Sequence, residues 1–222
     1  MEKKLTLKWL IIKLAGVLFA AYSAYNVFIM IRDGKRGLPA EAIVISAFVA
    51  LLFGVLAVFA WTSGAKNIRF IMVRKAMFII SVLAVIALKL RMAASYISYI
   101  DLSQPQTVLY GSTYFLTLAA MLILVAYYAF ILKDLMMYPV LSILLPAIAG
   151  ALFLSCLVFE IILFFGFGIG VEANMIRTVV MRPVFYLGFI LLSVYFLFPR
   201  GREIVEENPV TDVVRVDNNF VA

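Results

Sequence analysis

Glu160 is the one acidic residue that lies deep within an apolar run of this chain, at the centre of residues 157–163. On insertion scales, an ionised side chain at the centre of a lipid bilayer costs at least about 2.5 kcal/mol. A carboxylate in such a place faces a protein interior, reaches an interface or has a partner of opposite charge. Glu160 is therefore the first candidate for an ion, proton or substrate site, and a purely structural ion pair is the alternative.

Basic residues near the ends of other apolar runs are the candidate partners of this carboxylate. If each run crosses a membrane once, Lys89, Arg91, Arg177 and Arg182 fall on the same side of it as Glu160. One of them can neutralise the carboxylate, or several can form a binding site with it. The candidate substrate-binding or ion-binding residues are Glu160, Arg91, Arg177 and Arg182.

Tyrosines flank the longest polar connection of the chain, at Tyr96, Tyr99, Tyr110 and Tyr114. Tyrosine is enriched at both membrane–water interfaces, so an interfacial aromatic belt is one interpretation. The rim of a binding vestibule is the other.

The residues that are missing exclude most enzyme chemistry. The chain has no histidine, which removes the usual general base at neutral pH and the commonest metal ligand. Its single cysteine, Cys156, lies in an apolar run and is expected to pack there. Neither a G-x-S-x-G motif nor a Walker A lysine motif is present. We therefore expect no enzyme activity, no metal and no cofactor.

The composition indicates that the chain is embedded in a membrane. Hydrophobic residues make up 66% of the sequence and charged residues 14%, whereas a soluble domain has roughly a quarter of its residues charged. A soluble chain cannot cover that much apolar surface, but a lipid bilayer solvates it. The predicted fold is an all-α polytopic transmembrane bundle without a soluble domain, and its predicted partner is the lipid bilayer.

Six apolar runs come close to the roughly 20 residues that one crossing needs, and glycine, proline or charged residues separate them. They are residues 9–31, 42–62, 70–90, 108–132, 140–167 and 183–198, the last of which can start near Ile176. The boundary after the fifth run is open, because Gly166, Gly168 and Gly170 fit either a turn or a flexible end. Six spans are predicted and five remain an alternative, with residues 1–199 forming the bundle and 200–222 a short polar tail.

The net charge of +7 comes from basic residues at the ends of the runs, where they face lipid headgroups, and it does not indicate nucleic-acid binding. With six spans, both termini lie on one side of the membrane. The two sides carry nearly equal numbers of basic residues, and we expect the termini on the cytoplasmic side of the cell membrane.

Small residues recur at every fourth position in three runs and predict close helix packing. The three stripes are Gly16, Ala20 and Ala24; Ser46, Ala50 and Gly54; and Ala147, Ala151 and Ser155. They pack within the bundle, or one of them docks a membrane-protein partner or a second copy of the chain. Such stripes resemble the alanine-rich first helix of the substrate-binding subunits of vitamin importers, which are also similar in size and span number.

Two functions are therefore predicted as alternatives. The first is a small-molecule transporter, or the membrane-embedded substrate-binding subunit of one, which requires a polar-lined cavity reaching Glu160. The second is a non-catalytic accessory or structural membrane protein that acts by helix packing with partners. This second function requires a filled bundle, a neutralised Glu160 and a small-residue stripe that faces lipid.

Overall fold

The fold is an all-α helical bundle, as predicted. The structure is a computed structural model that describes residues 2–63, 68–97, 101, 103–131, 139–167 and 180–198. Within these ranges there are six α-helices and no strand. The helices are α1 (Glu2–Lys35), α2 (Ala40–Trp61), α3 (Ile68–Ile97), α4 (Pro105–Ala126), α5 (Pro139–Phe167) and α6 (Arg182–Leu197). The predicted tail, residues 200–222, lies outside the described residues.

Five of these helices, α1 to α5, are long and apolar enough to cross a membrane, which confirms a multi-pass membrane protein. The described part of α6 is apolar but has only 16 residues. At 1.5 Å per residue it measures about 24 Å, less than the roughly 30 Å of a bilayer core. A complete sixth crossing is therefore not seen in the described residues, and the predicted start near Ile176 falls outside them.

The turn chemistry of the sequence explains where two of the helices begin. The connection after α1 contains Gly37 at a φ of 67°, a left-handed conformation that glycine adopts without strain. Pro39 follows as the residue before α2. Pro105 occupies the first turn of α4, where its missing N–H leaves no helix hydrogen bond unmade.

The six helices form a closed antiparallel ring. Each helix packs against its neighbours in sequence, and α6 packs against α1. The Lys8 ammonium lies 5.4 Å from the ring centre of Tyr195, and the ring of Tyr22 packs 5.6 Å from that of Phe185. The start of α1 and the end of α6 therefore share one end of the bundle, here named the terminal end. The opposite end, where α1 leads to α2 and α3 leads to α4, is named the loop end.

Aromatic side chains fill the terminal half of the ring. Five buried residues form a cluster that we name the aromatic plug: Phe59, Phe78, Tyr127, Tyr128 and Phe196. Neighbouring ring centres in the plug lie 4.6 to 6.1 Å apart, a spacing at which aromatic pairs attract each other beyond simple burial. The side chains of the aromatic plug therefore fill the interior of this half of the bundle.

A second aromatic cluster, the middle layer, lies between the plug and the loop end. It comprises Phe19, Phe53, Phe153 and Phe189, all of them buried. Phe189 is central, because its ring centre lies 5.0 Å from that of Phe153 and 5.1 Å from that of Phe19. The middle layer ties α1, α2, α5 and α6 together half-way along the bundle.

Two irregular helix segments lie on the terminal side of the middle layer. Residues Tyr127–Ile131 continue α4 as a π-helical turn, and α5 packs against it. Pro146 lies inside α5, where a proline removes one backbone hydrogen bond and bends the helix. The terminal half of the bundle therefore combines dense aromatic packing with two locally weakened helices.

The first small-residue stripe has two different environments. Gly16 is buried, and a Cβ atom added there would lie 2.6 Å from Cδ1 of Trp61 on α2. Ala20 and Ala24 lie on the outer surface. Residues that are four positions apart differ by about 40° in direction around the helix axis. A stripe of several such residues therefore turns gradually away from the neighbouring helix.

The second stripe faces the interior, and the third lies mostly on the outside. Ala50 is buried, and its carbonyl accepts a hydrogen bond of 2.7 Å from Ser23 Oγ. Gly54 also faces Ser23 Oγ, and Ser46 faces the loop-end interior. The third stripe, on α5, has Ala147 and Ala151 exposed on the outer surface and Ser155 half-buried.

Candidate functional site

A cavity of about 740 Å³ occupies the loop half of the ring. Every helix contributes to its wall, through Tyr22, Ser46, Lys89, Tyr110, Glu160 and Arg182 from α1 to α6 respectively. Phe53, a member of the middle layer, and Phe185 also line the cavity, and their rings pack 5.6 Å apart. The cavity thus extends from the loop end to the aromatic layers.

Glu160 and Arg182 form an ion pair in this wall. Arg182 Nη1 donates a hydrogen bond of 2.7 Å to Oε2 of Glu160. Because α5 and α6 are antiparallel, the last turns of α5 lie beside the first turn of α6, and this brings the two side chains together. The carboxylate side chain is 5% exposed and the arginine side chain 29%, so the guanidinium is the more accessible partner.

Two tyrosines on α4 extend this pair into a hydrogen-bonded chain. Arg182 Nη2 donates to the hydroxyl oxygen of Tyr110 at 3.0 Å, and the hydroxyl of Tyr114 donates to the same oxygen at 3.0 Å. Tyr110 and Tyr114 are four residues apart and therefore share one face of α4. The guanidinium carbon also lies 5.2 Å from the ring centre of Tyr110.

Lys89 of α3 lies at the other end of this chain. Its ammonium nitrogen is 5.3 Å from the ring centre of Tyr114 and 5.0 Å from that of Phe185. Both distances are within the range at which a cation is attracted to an aromatic face. We name Glu160, Arg182, Tyr110, Tyr114 and Lys89 the polar row, because they follow one another along the cavity wall.

Arg91, another candidate from the sequence, lies near the mouth of the cavity and pairs with a different carboxylate. It lines the cavity and donates a hydrogen bond to Glu41, in the first turn of α2. Their side chains are 67% and 65% exposed, so this ion pair contributes little to stability. The fourth candidate, Arg177, lies outside the described residues.

Cys156 packs behind the cavity wall. Its side chain is fully buried, with Sγ 3.5 Å from Thr117 Oγ1 and 3.6 Å from the carbonyl oxygen of Thr113. Thr113 is itself a lining residue. The cysteine thus supports the wall between α4 and α5 as a small packed side chain.

Two predicted aromatic positions and several unpredicted residues line the site. Tyr110 and Tyr114 belong to the cavity wall, as the vestibule interpretation requires, whereas Tyr99 and the side chain of Tyr96 lie outside the described part of the chain. Lys89 was predicted only as a possible partner of Glu160. Tyr22 and Asn26, one helical turn apart on α1, could have been suspected as a polar face within the first apolar run.

The arrangement suits non-covalent binding of a polar or charged molecule. Glu160 is held by Arg182, and Cys156 is buried away from the cavity. In the described ranges, no three His, Cys, Asp or Glu side chains are grouped so that they could hold a metal ion. What the wall offers is cationic groups, hydroxyls and aromatic faces.

No family model, curated protein or solved structure matches this chain. A function for it is therefore argued from the geometry and charge of the site.

Proposed function

We propose that this protein is a small-molecule transporter or the membrane-embedded substrate-binding subunit of one. The observation that supports this proposal most directly is the polar-lined cavity, which reaches Glu160 within a membrane-spanning bundle. Its volume of about 740 Å³ falls within the roughly 300–1,000 Å³ of ligand pockets. Polar groups within a membrane are stable only where they face protein or a cavity. A polar wall of this extent is therefore evidence that the cavity binds a solute.

The closed terminal half supports the same proposal. A transporter exposes its central site to one side of the membrane at a time, and a binding subunit exposes it to one side only. Here the cavity lies in the loop half, whereas the middle layer and the aromatic plug fill the rest. Pro146 and the π-helical turn after α4 weaken two helices where an opening towards the terminal end would require them to move.

In this function the ion pair has a positioning role. The covered carboxylate of Glu160 holds the guanidinium of Arg182 at the wall, where its 29% exposed side chain can meet a solute. A buried pair of this kind contributes little net stability, because the cost of desolvating two charges offsets their attraction. A role in binding therefore explains the position of this pair in the wall better than a contribution to stability does.

The second candidate, an accessory or structural membrane protein, has two observations in its favour. Glu160 is neutralised by Arg182. Ala147 and Ala151 present small side chains on the outer surface of α5, where the backbone of a partner helix could approach closely. The open cavity favours the transport proposal over this one.

Cysteine accessibility tests the proposal without knowledge of the solute. In a Cys156→Ala background, Ser46→Cys places a thiol in the cavity, and Ala151→Cys places a matched control on the outer surface of α5. A membrane-impermeant methanethiosulfonate reagent is added to one side of sealed vesicles, and labelling is measured by mass spectrometry.

We expect Ser46→Cys to react from the loop side and Ala151→Cys, which faces lipid, to stay unreactive from both sides. Additional slower reaction of Ser46→Cys from the terminal side identifies a transporter, and reaction from the loop side alone identifies a binding subunit. If Ser46→Cys is unreactive from both sides, the cavity is not open to water and the accessory function replaces the proposal.

A further inference from the structure

The charges in the cavity wall indicate which class of molecule it accepts. Among the lining side chains that the structure describes, four carry a charge near neutral pH, and three of these are basic: Lys89, Arg182 and Arg91, which pairs with Glu41. The acidic residue in the described part of the wall, Glu160, is 5% exposed and already accepts a hydrogen bond from Arg182. A cationic solute would therefore meet basic groups, with the carboxylate of Glu160 covered by Arg182.

Within the polar row, Arg182 and Lys89 stand on either side of the two tyrosines. Lys89 lies over the rings of Tyr114 and Phe185, and Arg182 donates to Tyr110, whose hydroxyl also accepts from Tyr114. The two tyrosines thus connect the two basic side chains along one stretch of wall. An anionic group that docks on this stretch gains charge-assisted hydrogen bonds, which are about twice as strong as neutral ones.

The remaining wall is largely apolar and combines aromatic with aliphatic side chains. Tyr22, Phe53, Phe185 and Tyr186 line the cavity in addition to the two tyrosines of the polar row. Rings of this kind favour a flat, apolar or aromatic body, because offset and edge-to-face ring contacts add to the burial of apolar surface. Inorganic ions lack such a body and would leave these faces without contacts.

We infer that the cavity binds a small organic anion with an aromatic body, its acidic group on the polar row and its ring among the lining aromatics. This inference rests on the proposed function for its place in transport, whereas the binding preference follows from the wall itself. Lys89 is the residue that sets the sign of the preferred charge, and Arg182, fixed by Glu160, adds to it.

The first test compares two labelling reagents that differ in charge. The Ser46→Cys variant in the Cys156→Ala background is treated from the loop side with 2-sulfonatoethyl methanethiosulfonate, an anion, and with 2-trimethylammonioethyl methanethiosulfonate, a cation. The ratio of the two rates is divided by the same ratio for a thiol in free solution. We expect this relative ratio to favour the anion about tenfold, to fall towards unity in Lys89→Gln, and to be retained in Lys89→Arg.

The second test uses two ligands with the same ring system. Indole-3-acetate is anionic and tryptamine cationic, and both carry an indole. We expect indole-3-acetate to protect Ser46→Cys from labelling and tryptamine to protect it at least about tenfold less well. Lys89→Gln should weaken protection by indole-3-acetate about tenfold, the change that corresponds to losing one charge-assisted contact.

Each result has a distinct meaning. Preferential reaction with the cationic reagent, better protection by tryptamine, or an unchanged ratio in Lys89→Gln overturns the inferred substrate class, even if the cavity is open to water as the proposed function requires. If Lys89→Gln does not fold, the inferred substrate class is still tested in the Ser46→Cys variant with Lys89 intact, by the ratio of the two reagent rates and by the protection that each indole ligand gives. If the thiol of Ser46→Cys reacts with neither reagent, both the proposed function and this inference are wrong.

Discussion

The guanidinium of Arg182 bridges two helices, with Nη1 on Glu160 of α5 at 2.7 Å and Nη2 on the hydroxyl of Tyr110 of α4 at 3.0 Å. One side chain from α6 thereby joins three neighbouring helices at the cavity wall. The loss of Glu160 or of Tyr110 leaves one N–H donor of Arg182 without its partner, which costs more than the net value of the bond itself where that donor is shielded from water.

Glu160→Gln is expected to lower the melting temperature, because it leaves the charge of Arg182 without its carboxylate. Since that side chain is partly exposed, we expect a loss of about 1–3 kcal/mol rather than the larger cost of a fully buried unpaired charge. Glu41→Gln, which removes the exposed partner of Arg91, is the matched control and should change stability by less than about 1 kcal/mol. Thermal unfolding in detergent measures both, and equal melting temperatures for Glu160→Gln and the parent protein would show that the pair has no structural role.

Tyr110→Phe is expected to destabilise the protein more than Tyr114→Phe does. The hydroxyl of Tyr110 accepts two bonds, from Arg182 and from Tyr114, whereas the hydroxyl of Tyr114 takes part in one of these two. With a typical net value of about 1 kcal/mol for each hydrogen bond, the two variants should differ by roughly that amount. Thermal unfolding in detergent measures both variants. A larger loss of stability in Tyr114→Phe than in Tyr110→Phe would contradict the arrangement of the polar row.

Gly188→Ala is expected to destabilise the bundle by about 1–3 kcal/mol through overpacking. A Cβ atom at this position would lie 2.7 Å from Cε1 of Phe19, a fully buried ring held among the other rings of the middle layer. Gly54→Ala is the control, because its added Cβ would lie 3.5 Å from Ser23 Oγ, an ordinary contact. If both alanine variants melt at the parent temperature, α1 and α6 are not packed as closely as the structure has them.

Asp101, in the connection before α4, is expected to titrate below its ordinary pKa of 3.8. The hydroxyl and the backbone N–H of Ser103 both donate to Oδ1, and these bonds favour the charged carboxylate. Because the pKa is lowered in the folded state, the stabilisation is complete above the ordinary pKa and is lost as the pH falls through the lowered one.

Ser103→Ala removes the hydroxyl donor and should move the pKa of Asp101 back towards its ordinary value. Titration of the labelled carboxyl carbon by NMR measures both variants. Thr107→Val is the control, because the Thr107 hydroxyl donates to the backbone carbonyl of Asp101 and not to its carboxylate. A pKa that does not respond to Ser103→Ala would contradict the proposed cause.

The sequence by itself determined the fold class and the main candidate residue. Long apolar runs must form helices, because a bilayer offers no other partner for backbone polar groups. Pro39 and Pro105 marked where α2 and α4 begin. Glu160 was identified from the cost of a carboxylate in an apolar run, and the structure places it in the cavity wall.

Only the tertiary structure decided which residues meet. Arg91 and Arg182 were equivalent partners for Glu160 in the sequence, yet Arg182 pairs with it and Arg91 pairs with Glu41. Ser46 belonged to a predicted packing stripe and lies in the cavity wall. The physical reason lies in the distribution of polar residues around each helix. In a soluble protein the polar face of a helix shows which side faces water, whereas a helix in lipid is apolar on nearly every face and gives no such indication. The rotation of each helix about its axis, and with it the wall of the cavity, is therefore set by side-chain packing between helices.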